Sequence, residues 1–389
     1  MKSFTALFPR SASARRRGWI FFFCAALAGL LGPTQRLAAQ VSLTMPSPIE
    51  IPAGPLGNWG LSGVVSYAGL ATPNQYGAEK NGGDLTNGFA ILQKTTGQWQ
   101  FFVMAGGYAY PALGAGRLTT TQYTQFFGLV PEAYAEYVFN PHWSIEAGKL
   151  PTLIGQESTW SYLNYNIQRG LVWNDMENLI SRAAQLNMNY GKWTVNLQYG
   201  DGFYAGYHFG APSAAIAYAI NAKNTFTFVT LIPNKNTPPN GTFFDANAQL
   251  YDFMYTYTGK NWSWTPYVIF MNSPASTARG YTSAAHGMGY VLLGGYRINP
   301  EWILGMRAEY ATTNGSLAST SANMNILGYG PGAKAVTFTL TPTWQDKDLF
   351  ARGEFSLVHA MDYAPGAVFG KGGTGANEFR GAAEIGVTF

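Results

Sequence analysis

Charge is scarce in this sequence: only 11% of its 389 residues are Asp, Glu, Lys or Arg, against roughly 25% in an ordinary soluble domain. Cysteine is almost absent. The single one, Cys24, sits in an apolar run near the N-terminus, so no disulfide framework is available. Histidine occurs four times, at His142, His208, His286 and His359. No two of them have metal-ligand spacing, and no GxSxG motif accompanies them. A metal centre, a cofactor and a barrel hydrolase are therefore not expected. Long apolar runs are missing too. Beyond the first 39 residues, no stretch reaches the ~18 consecutive apolar residues of a membrane helix. Low charge without such a run leaves two routes. One is a soluble β-sandwich or propeller. The other is a protein that meets lipid with strands.

The N-terminus is set apart from the rest. Lys2, Arg10 and Arg15-Arg16-Arg17 precede a 13-residue apolar stretch, Trp19 to Leu31, and Leu37-Ala38-Ala39 follows it. A basic start, a short apolar centre and a small-residue end are the layout of a secretory signal peptide, too short to span a membrane. Residues 1–39 are expected to be removed. They hold six of the 24 basic residues and none of the 20 acids, so the formal charge of +4 becomes −2 without them. Nothing in that balance calls for nucleic acid. Residues 40–58, with Pro46, Pro48, Pro52 and Pro55, read as an irregular lead-in. Residues 59–389 read as one domain.

What is present is alternation. In KWTVNLQYG, Trp193, Val195, Leu197 and Tyr199 oppose Thr194, Asn196 and Gln198. In EWILGMRAEYA, Trp302, Leu304, Met306, Ala308 and Tyr310 oppose Glu301, Arg307 and Glu309. The chain ends FRGAAEIGVTF, where Phe379, Ile385, Val387 and Phe389 oppose Arg380 and Glu384. Period 2 over about ten residues is a strand with one apolar face. Sixteen such strands can be marked between residues 60 and 389. Short polar turns, such as those at Asn140-Pro141, Asn299-Pro300 and Asp346-Lys347, alternate with longer connections, such as 110–124, 152–180 and 314–332. Aromatics follow several short turns: Trp99, Trp143, Trp193, Trp262, Trp302 and Phe350.

A soluble sandwich has no reason to sort its connectors by length. A membrane β-barrel does, with short turns on one side, long loops on the other and aromatic girdles at both interfaces. Bare edge amides in hydrocarbon would cost several kcal/mol each, so the sheet must close. Sixteen strands enclose more than side chains fill, which predicts an aqueous lumen. The polar faces would line it with Glu132, Glu136, Glu146, Glu309, Glu354 and Glu384. The fold class expected is all-β, a transmembrane antiparallel β-barrel. One parity break, Ala246, Ala248 and Leu250 before Tyr251 and Phe253, predicts a bulge or a membrane boundary.

With its exported N-terminus, paired strands and C-terminal Phe389, the chain resembles Gram-negative outer-membrane porins of the 16-stranded general type. The stretch GKLPTLIGQE, Gly148 to Glu157, is similar to segments of β-barrel porin families of Proteobacteria and Acidobacteria. The resemblance implies a water-filled channel for passive diffusion of small hydrophilic solutes and ions. It also implies outer-membrane lipid and lipopolysaccharide as surroundings, a homotrimer, and recognition of Phe389 by the barrel-assembly machinery. The third long loop of such porins folds inward. Here that loop is 151–180, the longest connection, and it is rich in Trp, Tyr, Leu and Ile. An exposed loop would be more polar. Its Glu157, Asp175 and Glu177, with Arg169, would face wall arginines among Arg182, Arg297, Arg307, Arg352 and Arg380, with a slight preference for cations. A channel specific for a sugar or carboxylate, and a plugged structural or adhesive barrel, stay as alternatives. An enzyme is not expected.

Overall fold

The computed structural model describes residues 42–76, 80–238 and 246–389. The expected signal peptide lies outside these residues. Seventeen strands follow one another: β1 (Ile49–Pro52), β2 (Asn58–Ala71), β3 (Asn81–Lys94), β4 (Trp99–Tyr108), β5 (Glu132–Asn140), β6 (Trp143–Pro151), β7 (Ile180–Tyr190), β8 (Trp193–Gly200), β9 (Ala211–Asn221), β10 (Asn224–Leu231), β11 (Gln249–Thr258), β12 (Trp262–Ser273), β13 (Ala285–Arg297), β14 (Trp302–Thr313), β15 (Lys334–Asp346), β16 (Leu349–Met361) and β17 (Asn377–Thr388). From β2 on, each pairs antiparallel with the next, and β17 pairs back to β2 with Gly381 opposite Ala71 and Thr388 opposite Val64. The result is a closed 16-stranded barrel, β2 to β17.

The pleat is inverted relative to a soluble protein. In β17, Phe379 is 59% and Ile385 66% exposed, whereas Arg380 is 6% and Glu384 3% exposed. Apolar side chains point out and polar ones point in, which is stable only when the outer solvent is lipid. Trp99, Trp143, Trp193, Trp262 and Trp302 stand outward beside the short turns, where an amphipathic ring suits the membrane boundary. Phe350 does not join them. Leu349 takes the outward place after the turn, and Phe350 points inward against the cluster that holds Leu43 and Val64.

The C-terminal residue meets β2 at the seam. Phe389 donates its N–H to Gly63 O at 3.0 Å and accepts from Gly63 N at 2.7 Å. Its ring lies so close that a Cβ on Gly63 would stand 2.3 Å from Phe389 Cζ. The lead-in supplies β1, which pairs with Asn58–Leu61 of β2. β3 occupies the other edge there, so β1 continues the line of β17 below the C-terminus. A lead-in expected to be wholly irregular therefore extends the seam by one short strand.

Two further expectations shift. The connection read as 110–124 runs on to Glu132, where β5 begins, because Thr120–Phe127 is a helix. Its start is a capping box: Gln122 N donates to Thr119 Oγ1 and Thr119 N donates to Gln122 Oε1. The parity break near 250 precedes a regular strand, since Ala246 and Ala248 lie outside β11. Register shifts occur instead near Ser66/Tyr67, Val138/Asn140 and Asn224/Thr225.

Candidate functional site in the barrel lumen

Segment 151–180 leaves β6, crosses the lumen and returns to β7. Its sequence explains why it goes in. The short helix Leu171–Met176 puts Leu171, Val172 and Met176 into one cluster with Val229, Leu250, Ile269 and Val291, the inward apolar residues of β10 to β13. Trp160, Tyr162 and Leu163 join Phe89, Phe102 and Tyr134 of β3, β4 and β5. The segment thus packs on both sides of the barrel. Burying these large side chains stabilises by roughly 1.5–3 kcal/mol each, which water outside could not offer. Two glycines let the segment approach the wall. A Cβ on Gly289 would stand 2.6 Å from Val172 Cγ1, and one on Gly305 would stand 2.7 Å from Tyr165 O.

Polar contacts fix the rest. Arg307 Nη1 donates to Glu157 Oε1 at 2.7 Å and to Gln168 O at 2.8 Å. Its Nε is 3.5 Å from Glu309 Oε2, an ion-pair separation rather than a hydrogen bond. Glu309 accepts from Leu171 N and Val172 N, both at 3.0 Å, and caps the helix. Glu354 accepts from Ile167 N and from Gln168 Nε2 at 3.0 Å. Arg352 pairs with Glu384 and donates to Ser161 O at 3.1 Å and Asn164 O at 3.2 Å. Arg380 pairs with Glu378 at 2.8 Å and donates to Ala112 O at 2.8 Å. Trp160 Nε1 donates to Glu132 Oε1 at 2.8 Å. Within the segment, Arg169 donates to the carbonyls of Thr159, Asn166 and Ile167. Burial pulls its guanidinium down to about 10, an effect that nearby Glu157 opposes. Burial lifts the Asp175 and Glu177 carboxyls well above the usual range.

One sector of wall is organised differently. Glu136, Glu146, Gln185, Gln198 and Ser213 stand opposite one another in register across β5 to β9. Gln185 Nε2 donates to Glu146 Oε1 at 2.8 Å, and Gln198 Nε2 donates to Gln185 Oε1 at 3.0 Å. Asn196 Nδ2 donates to Asn187 Oδ1 at 2.6 Å. These bonds run along the wall, from strand to strand.

A sixteen-stranded barrel with apolar outer faces, polar inner faces and a segment folded through its lumen is the architecture of a porin. Residues 61–389 match the family described as "Putative beta-barrel porin-2, OmpL-like". The chain belongs to this family. It is an outer-membrane channel of the porin class. Solved porins share the fold at low identity. An anion-selective porin from Comamonas acidovorans is 9% identical with a TM-score of 0.58, covering 85% of this chain and 99% of its own. Salmonella typhi OmpF, in complex with daunomycin, is 12% identical with a TM-score of 0.53, covering 88% and 100%. A loop-deleted OmpT of Vibrio cholerae is 7% identical with a TM-score of 0.54, covering 85% and 99%. No curated protein matches the sequence.

Apart from Arg169, Asp175 and Glu177, which lie within the segment itself, the charged sequence candidates fall into three groups in this porin. Glu157, Arg307, Glu309, Arg352, Glu354, Arg380 and Glu384, with Glu132, form the docking network just described. Glu136 and Glu146 belong to the polar wall. Arg182 and Arg297 stand apart from both. Arg182 lies on the outward parity of β7, paired with Asp201 at 2.7 Å and stacked on Tyr204 and Tyr207. The inward residues of that strand are Ser181, Ala183, Gln185 and Asn187, and a step of one residue reverses the face. Arg297 is exposed at the short-turn end of β13. The inner charges are also less wet than a lumen of free ions would be. Arg307, Glu309, Arg352 and Glu384 are buried and matched within the network, as charges away from water must be.

Residues that sequence reasoning passed over complete the site. Asp252 accepts from Gly155 N at 3.0 Å, and Tyr267 OH donates to Glu177 Oε1 at 3.0 Å. Asp252 alternates with outward Tyr251 and Phe253, so parity placed it inside. Glu378 shares the inward parity of Arg380 and was equally legible.

Proposed function

We propose that this porin is a passive diffusion channel for small hydrophilic solutes and ions, with segment 151–180 as its constriction. Solutes pass along the polar wall of β6 to β9, whose Glu146, Gln185 and Asn196 are each 1% exposed while the segment is docked, so passage opens as the segment shifts off that wall. The observation that carries this reading is the division of the lumen. The segment packs and bonds on β3 to β5 and on β10 to β17, while Glu146, Gln185, Asn196 and Gln198 bond along their own wall. Arg307, Arg352 and Arg380 are matched by acids, so the transverse field is weak. Glu136 and Glu146 on the polar wall give a slight preference for cations. Export by a signal peptide over 1–39, insertion through the barrel-assembly machinery, lipopolysaccharide contact, a homotrimer and the lack of enzymatic activity belong to the same reading. Swelling of liposomes carrying the protein, over ions, sugars and carboxylates, tests it. Uptake graded by solute size supports the reading. No uptake of any solute overturns it, and saturation by one class replaces it with a specific channel.

A further inference from the structure

All four residues of β1 are exposed, yet just ahead of them Ser42 is 3% and Leu43 2% exposed. Contacts trace the chain between. Pro48 lies against Gly60, which shares the inward parity of Ser62 and Val64; a Cβ on Gly60 would stand 2.9 Å from Pro48 Cβ. Thr44 N donates to Gln345 Oε1 and Gln345 Nε2 donates to Thr44 O, both at 2.8 Å. Gln345 has inward parity on β15, beside the short turn to β16. Leu43 joins Val64 and Phe350, inward residues of β2 and β16, in one apolar cluster. Ser42 Oγ donates to Asn164 O at 2.9 Å, the carbonyl that Arg352 also holds. Residues 42–48 therefore run inside the barrel, from the short-turn rim up to the docked segment. Their sequence suits that course. Pro46 and Pro48 keep Met45 and Ser47 extended and bring no N–H that needs a partner in the lumen.

We propose that residues 42–48 are a strap that props the constriction from the short-turn side and releases ahead of it. The proposal rests on the channel reading for its effect on flow. While the strap is in place, the turn Ser161 to Asn164 is held by Arg352 on the wall and by Ser42 on the strap. Release leaves Arg352 alone to hold that turn and clears the lumen below it. The strap is held far more lightly than the segment it props. Its fixings are the buried Leu43, the Gln345 amide and the Ser42 hydroxyl, and the Gln345 bonds are exposed. Few buried contacts and exposed backbone bonds mark the parts of a fold that open first. The exposed β1, paired over four residues with β2, is the hinge.

The sequence beyond residue 39 has no cysteine, so one introduced thiol reports on the strap. Leu43→Cys places it at the buried position and Thr44→Cys at the exposed one beside it. In folded protein in detergent, a charged methanethiosulfonate should modify Thr44→Cys quickly and Leu43→Cys slowly. Adding Gln345→Ala removes two hydrogen bonds and should speed modification of Leu43→Cys on the order of tenfold. In planar bilayers, Gln345→Ala should add open-state noise, and a variant lacking residues 42–47 should conduct more than the intact protein. Leu43→Cys modified as fast as Thr44→Cys overturns the proposal. So does a folded deletion variant with unchanged conductance and noise. Where the deletion prevents folding, the labelling rates and Gln345→Ala decide. Pores that ignore every strap variant remove the strap and leave the channel. A protected Leu43→Cys, released by Gln345→Ala in a protein that forms no pores, removes the channel and leaves the strap.

Discussion

Arg307→Ala should undock the constriction without unfolding the barrel. Arg307 is the cation between Glu157, at 2.7 Å, and Glu309, at 3.5 Å. It also donates to Gln168 O and to Thr339 Oγ1 at 3.1 Å. Removing one partner of a buried ion pair costs about 3–5 kcal/mol, because the other charge is left uncompensated. Glu309 keeps the N–H groups of Leu171 and Val172 and the Thr337 hydroxyl. Glu157 keeps only Gly170 N, at 2.9 Å, among its hydrogen-bond donors described here. The loss therefore falls on the segment side. At about 1.4 kcal/mol per factor of ten, the undocked population rises on the order of 10²–10⁴-fold. The barrel ladders are untouched, so heat-modifiable mobility in gels should not change. Single-channel recordings should show larger conductance and more open-state noise, and limited proteolysis should cut within 151–180. Glu157→Gln combined with Arg307→Met removes both charges and should recover much of the docked behaviour. Wild-type conductance and wild-type protease resistance in Arg307→Ala would refute the reasoning.

Deleting Phe389 removes the pairing to Gly63 that finishes the seam; the amount of folded protein in outer-membrane fractions should drop more than the conductance of barrels that do form. Conductance should fall as pH is lowered. Asp175 and Glu177 hold protons more tightly in the docked segment than in a solvated one, so docking is favoured in acid and weakens as pH rises through the lifted carboxyl range. Recordings across pH check this, and the Asp175→Asn/Glu177→Gln variant should flatten the profile. Gln185→Trp, on the polar wall, should reduce conductance, whereas Leu186→Trp, one residue on and facing out, should leave it within error.

The barrel was legible because lipid outside and polar groups inside write period 2 into every strand. Phe379, Ile385 and Val387 against Arg380 and Glu384 could be read from the sequence, and their exposure follows that reading. The inward course of 151–180 was legible in its Trp, Tyr and Leu content, since such a segment needs an apolar surface to cover. Its partners were harder. Arg352 and Glu384 are register neighbours on β16 and β17, so strand alignment alone can propose that pair. Glu157 and Arg307 meet across the lumen from chain positions 150 residues apart, and no local pattern encodes such a meeting. Arg182 shows the converse. It looked like a lumen charge, yet its parity follows outward-facing Ala184 rather than Ser181 and Gln185. Gly289 and Gly305 also carried a signal that composition hides: inward glycines mark where the wall makes room for the segment.

The central claim is that the docked segment limits passage along the polar wall. Single-channel conductance of the mature protein, compared with a variant lacking residues 158–172, tests it most directly. The account predicts discrete ohmic openings for the intact protein and a several-fold larger conductance for the variant. An intact protein that forms no pores, or a folded variant with unchanged conductance, would contradict it.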